Sequence, residues 1–337
     1  MFIGEFIALG VALAWTATAL FAEVGSKHMG SLPFNMMRMI LSLLFLAVTL
    51  WLVMGVPYPR YADGQTWLWL LLSGVVGYVL GDYCLMQGYI IIGSRFGQLF
   101  MTLSAPTAAL TGLLLLGERM RPLAILGMVV TLTGIALSIL AKSPSPHSGL
   151  DPESPQQEAK IGLKLPLKGI VYASLAGIGQ GFGLVLSKMG LEHYDAALLA
   201  AGLDGQSLPD GALLPLPLYL SVPFASTMIR AMIGLVGFFA MLMLLEKREG
   251  INKLRRAVRD RKAMWCAVAS TVFGPFVGVS ASLLATQYTS AGIAQTLFAL
   301  TPVLIIAPAA WLFHQKVTVR EVVGAVISVA GVCLFFV

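Results

Sequence analysis

The chain has 337 residues, of which 58% are hydrophobic and only 11% charged, where a soluble domain carries roughly 25% charged residues. That balance excludes an ordinary water-soluble fold, and the formal net charge of +6 comes from 22 basic and 16 acidic residues. The apolar residues fall in separate runs of the length, roughly 20 residues, that lets a helix cross a hydrocarbon core of about 30 Å.

Ten such runs occur in chain order: 3–24, 34–55, 66–92, 95–117 and 122–141, then 167–189, 223–245, 263–289, 293–313 and 319–337. They are twice the length of a barrel strand and lack its alternation. Helices are the solution that leaves no backbone group unpaired in lipid. No Lys or Arg precedes the first run, so it reads as a structural helix rather than a signal peptide. The stretch from Lys142 to Lys164, with Ser143, Pro144, Ser145, Pro146, Pro152 and Pro155, cannot bury a core and reads as a linker. Cys84, Cys266 and Cys333 show no redox or metal-ligand spacing.

Five runs lie on each side of that linker, and the sides resemble each other. Ser26-Lys27-His28-Met29-Gly30 closes the first run as Ser187-Lys188-Met189-Gly190 closes the sixth, and Arg38 has a counterpart in Arg230. Gln98, Gly127 and Gly134 correspond to Gln295, Gly324 and Gly331 at a constant offset of 197 residues (295 − 98, 324 − 127, 331 − 134), while Pro106 falls on Val303, one residue past Pro302. An odd number of crossings per copy makes the second copy enter from the opposite side. The expected fold is therefore an all-α integral membrane protein of ten transmembrane helices in two inverted five-helix repeats, a construction common in secondary transporters. The first repeat spans 4–141, the hydrophilic linker 142–166, and the second repeat 167–337 with an extramembrane insertion at about 192–222.

Several stretches carry a family likeness. They are Gly81-Asp82, Gly93-Ser94-Arg95 and Leu116-Gly117-Glu118-Arg119 in the first half, and Tyr288-Thr289-Ser290-Ala291 with Leu300-Thr301-Pro302-Val303 in the second. On these the sequence resembles the drug/metabolite transporter superfamily, specifically proteins with two EamA domains. The resemblance implies a transporter of small metabolites, often an exporter, with its cavity between the halves. His314-Gln315 replaces the Gly-Glu of the first copy, and the insertion has no counterpart there.

Asp82 is the one acidic residue deep in any run, and a charge there is costly enough to demand a cavity or a partner. It reads either as a proton-coupling or substrate-ammonium site, or as a fixed contact for Arg38 or Arg95. Arg230, about seven residues inside its run, reads as a headgroup contact or as a ligand for an anionic group. Pro106 and Pro302 interrupt equivalent helices. Around them Gln98, Thr102, Thr107, Gln295, Thr296 and Thr301 offer hydrogen bonds, with about half expected to pack helix on helix. Trp15, Thr18, Tyr78 and Tyr83 suit an apolar pocket. Gln180 stands among Gly177, Gly179, Gly181 and Gly183, which suit close helix approach rather than a phosphate loop.

The basic residues collect on one side: Lys27, Arg95, the linker lysines, Lys316, Arg320 and eight residues from Lys247 to Lys262. The positive-inside tendency makes that side, with loops 142–166 and 246–262, cytoplasmic in a bacterial inner membrane, with both termini outside. The 247–262 cluster reads as a lipid headgroup anchor, not a nucleic-acid site. His28, His147, His193 and His314 are scattered and no phosphate-loop motif occurs, so neither an enzyme nor an ATP-driven pump is expected, and no cofactor or metal. The expected partners are a small-molecule solute and the bilayer, and a homodimer is compatible with this reading. The solute would be an amino acid, amine or drug-like compound, moved by alternating access with or without a proton. A non-transporting scaffold or sensor is the alternative.

Overall fold

A computed structural model describes residues 2–140, 166–208, 216–306 and 319–336, together with 211, 213, 214 and 308. Among these, seven helices are long and apolar enough to cross a membrane: α1 (Ile3–Met29), α2 (Ser31–Met54), α3 (Gly64–Ser94), α4 (Phe96–Leu116), α6 (Leu167–Ala200), α7 (Leu218–Glu246) and α9 (Arg261–Tyr288). Three shorter apolar helices, α5 (Pro122–Leu140), α10 (Ala291–Leu304) and α11 (Val319–Cys333), occupy the fifth, ninth and tenth expected positions. Between α7 and α9 runs the polar helix α8 (Lys247–Arg259). The expected linker, His314-Gln315 and Lys316 lie outside the described residues, as does the side chain of Arg95.

Local chemistry sets the ends. Asp63 caps α3 by accepting the Thr66 N–H at 2.8 Å, and Asp260 caps α9 by accepting from the Lys262 and Ala263 N–H groups at 2.9 and 3.2 Å. Gly93, at φ +78°, makes the sharp turn from α3 into α4, a conformation that few other residues adopt without strain. At the other end of the bundle α6 runs on to Ala200, so the segment from Glu192 is helical for its first nine residues, and α7 starts at Leu218.

The irregularities repeat. α3 widens into π-helical turns over Val75–Asp82, and α9 does so over Val272–Phe276, beginning 197 residues later (272 − 75). α4 breaks at Thr102–Leu103, just before Pro106, and α10 breaks at Ala299–Leu300, just before Pro302. At both breaks the hydrogen bonds shorten to three-residue spacing, as in Leu103 N–H to Phe100 O and Leu300 N–H to Leu297 O, each 3.1 Å.

Packing follows the same rule of exchange. α1 packs on α9 and α10, and α6 packs on α3 and α4; α2 faces α7, and α4 faces α10. The crossing of α5 and α11 is the tightest expression of it. A methyl placed on Gly134 would come within 2.7 Å of the Gly324 oxygen, and one on Gly127 within 2.8 Å of the Gly331 oxygen. Midway between them the Thr131 hydroxyl donates to Ser328 O at 3.4 Å and the Ser328 hydroxyl donates to Thr131 O at 3.3 Å. Thr131 and Ser328 are themselves 197 apart (328 − 131), so the central residue meets its own counterpart, while Gly134 meets the counterpart of Gly127 and Gly127 that of Gly134.

Candidate functional site

A cavity lies where the two halves of the chain meet. Its wall takes Trp15 and Thr18 from α1, Arg38 from α2, Tyr78, Asp82, Met86 and Tyr89 from α3, and Gln98 and Met101 from α4. The second half adds Gln180 from α6 with Gly274, Pro275 and Val279 from α9. The widened turns of α3 and α9 both open onto it, because each displaces the helix just where the other half crosses.

At its centre is a buried charge network. Arg38 and Asp82 are 3% and 6% exposed, and the Arg38 guanidinium donates to Asp82 Oδ2 at 3.3 Å and to Asn35 Oδ1 at 2.9 Å. Gln180 donates to Asp82 Oδ1 at 2.9 Å and to Gly77 O at 3.0 Å, tying α6 to the widened turn of α3. Asn35 also donates to the Asp82 carbonyl at 3.2 Å. An ion pair this deep survives only with such additional hydrogen bonds, since each desolvated charge costs several kcal/mol on its own. Arg230, 3% exposed, stands behind the wall with its guanidinium 4.8 Å from the centre of the Tyr78 ring.

The expected residues divide clearly. Trp15, Thr18, Tyr78, Asp82, Gln98 and Gln180 line the cavity, with Gln98 donating to the Tyr89 hydroxyl. Arg230 touches it through Tyr78. Tyr83 turns away, edge-on to Tyr172 of α6 with ring centres 6.2 Å apart. The Thr102 and Thr296 hydroxyls donate to carbonyls of their own helices, Leu99 O and Gly292 O. Gln295 instead bonds the halves together, donating to Gln180 O and accepting from the Ser104 hydroxyl, both at 3.4 Å. Pro106 and Pro302 mark the breaks of α4 and α10 without facing the cavity.

The sequence pattern of the EamA-like transporter family fits residues 2–140 and again 219–337. The chain belongs to the EamA-like transporter family. The stretch between the two matched segments takes in the central linker, α6 and the insertion. No curated protein matches the sequence. Among solved structures, one described as "Crystal structure of protein" superposes with a TM-score of 0.65 over 98% of this chain and 95% of its own, at 13% identity. That likeness speaks for the fold alone. Family membership makes the chain a multi-pass membrane transporter, working in a bilayer on a small-molecule solute.

Sequence reasoning gave no role to two groups in this EamA protein. One is the Gly274-Pro275 break in α9, which a Gly-Pro pair in the middle of an apolar run could have signalled. The other is a polar clasp at the bundle end bearing the N-terminus. There Glu118, after α4, accepts from Lys188 of α6 and from the Ala291 N–H at 2.9 Å. Lys188 also donates to Thr289 O at 3.1 Å, and the Thr289 hydroxyl donates to Glu5 at 2.9 Å. The opposite end has an analogue confined to the first half: Glu23 pairs with Lys27 at 2.6 Å and accepts the Ser94 N–H at 2.9 Å. Ser94 and Ala291 are 197 apart (291 − 94), so equivalent helix starts receive a carboxylate from different sources.

Proposed function

We propose that this protein is a secondary exporter in which two inverted five-helix halves, ten transmembrane helices in all, rock about the central cavity to carry one small organic solute per cycle. The observation that carries the reading is the Arg38–Asp82–Gln180 network, a charged cluster joined across both halves at the wall of a cavity between them. The reciprocal crossing of α5 and α11, and the matched breaks of α4 and α10, support the inversion.

The two ends would alternate. The Glu118 clasp links halves at the N-terminal end, whereas among the described residues the Glu23 pair does not cross between them. The cavity wall extends from Asp82 toward Tyr89 and Gln98, on the side of the basic segments. This geometry suits a state closed at the N-terminal end and accessible from the basic, cytoplasmic end. Release of the Lys188–Glu118 contact would accompany opening outward. A proton taken up by Asp82 would loosen its hold on Arg38 and so couple protons to that motion.

Purified protein in liposomes, challenged with a broad panel of labelled metabolites, tests this. Saturable flux that Asp82→Asn makes indifferent to a pH gradient is expected. Asp82→Asn transport with its pH dependence intact would exclude coupling through this residue. Absence of saturable flux across the panel would favour a scaffold.

A further inference from the structure

The cavity's charges do not balance. Among the described residues its surroundings hold two guanidinium groups, Arg38 and Arg230, and one carboxylate, Asp82. Arg38 has Asp82; among the described residues Arg230 has no carboxylate within ion-pair distance and no hydrogen-bond acceptor for Nε. The repeat explains the surplus. Each half brings one arginine, but the position 197 residues after Asp82 (279 − 82) is Val279, which also lines the cavity.

Unused donors gather at the same place. Of seven buried side-chain polar atoms without a partner among the described residues, four belong to Thr18, Arg38, Tyr78 and Arg230. Arg38 and Tyr78 are 3% and 2% exposed, so their vacant groups are shielded from bulk water. Leaving a buried donor unmatched costs roughly 1–3 kcal/mol, and concentrating four in one cluster is hard to reconcile with a purely structural role.

α9 passes close to two of them. α9 departs from helical geometry at Gly274, and a methyl on that residue would come within 3.0 Å of an Arg38 guanidinium nitrogen and 3.3 Å of the Thr18 hydroxyl. These distances are tighter than an ordinary methyl contact, so the absent side chain lets α9 pass Arg38 and Thr18 without displacing them from the cavity wall. The charge of Asp82, in contrast, is already matched by Arg38, which makes it a poor receptor for an ammonium group.

We infer that the cavity takes its solute by an anionic group, a carboxylate held by Arg38, Thr18 and Tyr78 beside Gly274 with the surplus charge of Arg230 behind them. This rests on the transport reading of the same cavity. One surplus positive charge matches a monoanion, so the occupied centre is neutral and the empty one is not. A neutral centre is the easier one to carry through a low-dielectric rearrangement. Amines without a carboxylate are excluded as solutes and organic monoanions such as monocarboxylates are admitted, whereas a zwitterionic amino acid, with no net charge, would leave the centre positive.

The test uses the detergent-purified full chain at constant chloride, with thermal stabilisation read against monocarboxylates from acetate to phenylpropionate and against their primary amides and the matching amines. At least one carboxylate is expected to stabilise the protein while its amide and amine do not. Arg230→Gln should weaken that response about tenfold or more, and Arg230→Lys should weaken it less. Should Arg230→Gln fail to fold, Gly274→Ala removes no charge, crowds Arg38 and Thr18 with a methyl, and is expected to abolish the response. Equal stabilisation by amides or amines, no response to any carboxylate, a response to added chloride alone, or unchanged carboxylate affinity in folded Arg230→Gln and Gly274→Ala would each overturn the inference. Liposome flux separates it from the reading beneath it. Saturable flux of amines alone would sink the anion site and leave transport standing. Carboxylate binding without any saturable flux would do the reverse.

Discussion

Asp82 is the residue on which both folding and function converge. Removing its charge leaves two guanidinium groups in a buried site, so Asp82→Asn should lower stability by about 3–5 kcal/mol, the loss seen when one partner of a buried pair is removed. Adding Arg38→Gln should restore part of that stability while abolishing the flux that Asp82→Asn retains; thermal unfolding and liposome flux of single and double variants check it. The alternatives posed by the sequence are resolved in part by geometry, since Asp82 meets Arg38 while Arg230 meets an aromatic ring. A buried acid in an apolar run announces itself, because few positions tolerate one. Whether Tyr78 or Tyr83 faces the cavity was not legible. They stand five residues apart across widened turns that a 3.6-residue period does not describe.

At the scale of elements, the crossing of α5 and α11 makes the sharpest demand on sequence. Gly134 sits 2.5 Å, measured from where its Cβ would be, from the Ser328 nitrogen, and Gly331 stands at the same distance from the Thr131 nitrogen. Gly134→Leu and Gly331→Leu should therefore each cost about 1–3 kcal/mol, and by similar amounts, because the two sites exchange roles. Unequal losses in thermal unfolding would count against the reciprocity. The glycines themselves were visible as a repeated spacing, and helix placement followed from hydropathy. Less visible was the break of α10 before Pro302, which depends on local hydrogen bonding rather than on composition. Equally hidden was the continuation of α6 to Ala200, since Glu192 and Asp195 read as the start of a polar loop although they cost a helix outside lipid little.

For the whole molecule, charge distribution predicts orientation. α8 and the hollow lined by Lys27, His28, Lys253 and Arg256 lie at the basic end, and the insertion lies at the other. Gly205→Cys should react with a membrane-impermeant maleimide in intact cells and Lys253→Cys only after permeabilisation; the reverse pattern would invert the proposed topology. The end bearing the insertion is also where Glu118 and Lys188 clasp the halves together. Neither residue stood out alone. Glu118 was legible as a family-like position and Lys188 as a repeat landmark, but their meeting depends on how two halves fold against each other. Cross-linking that clasp tests alternating access most directly. With Cys84, Cys266 and Cys333 replaced, the Glu118→Cys/Lys188→Cys protein is joined by a short thiol-reactive reagent in liposomes that show saturable solute flux. Flux should fall to background when the link is complete and return when a cleavable link is reduced; flux continuing at its original rate through a fully linked protein would contradict the account.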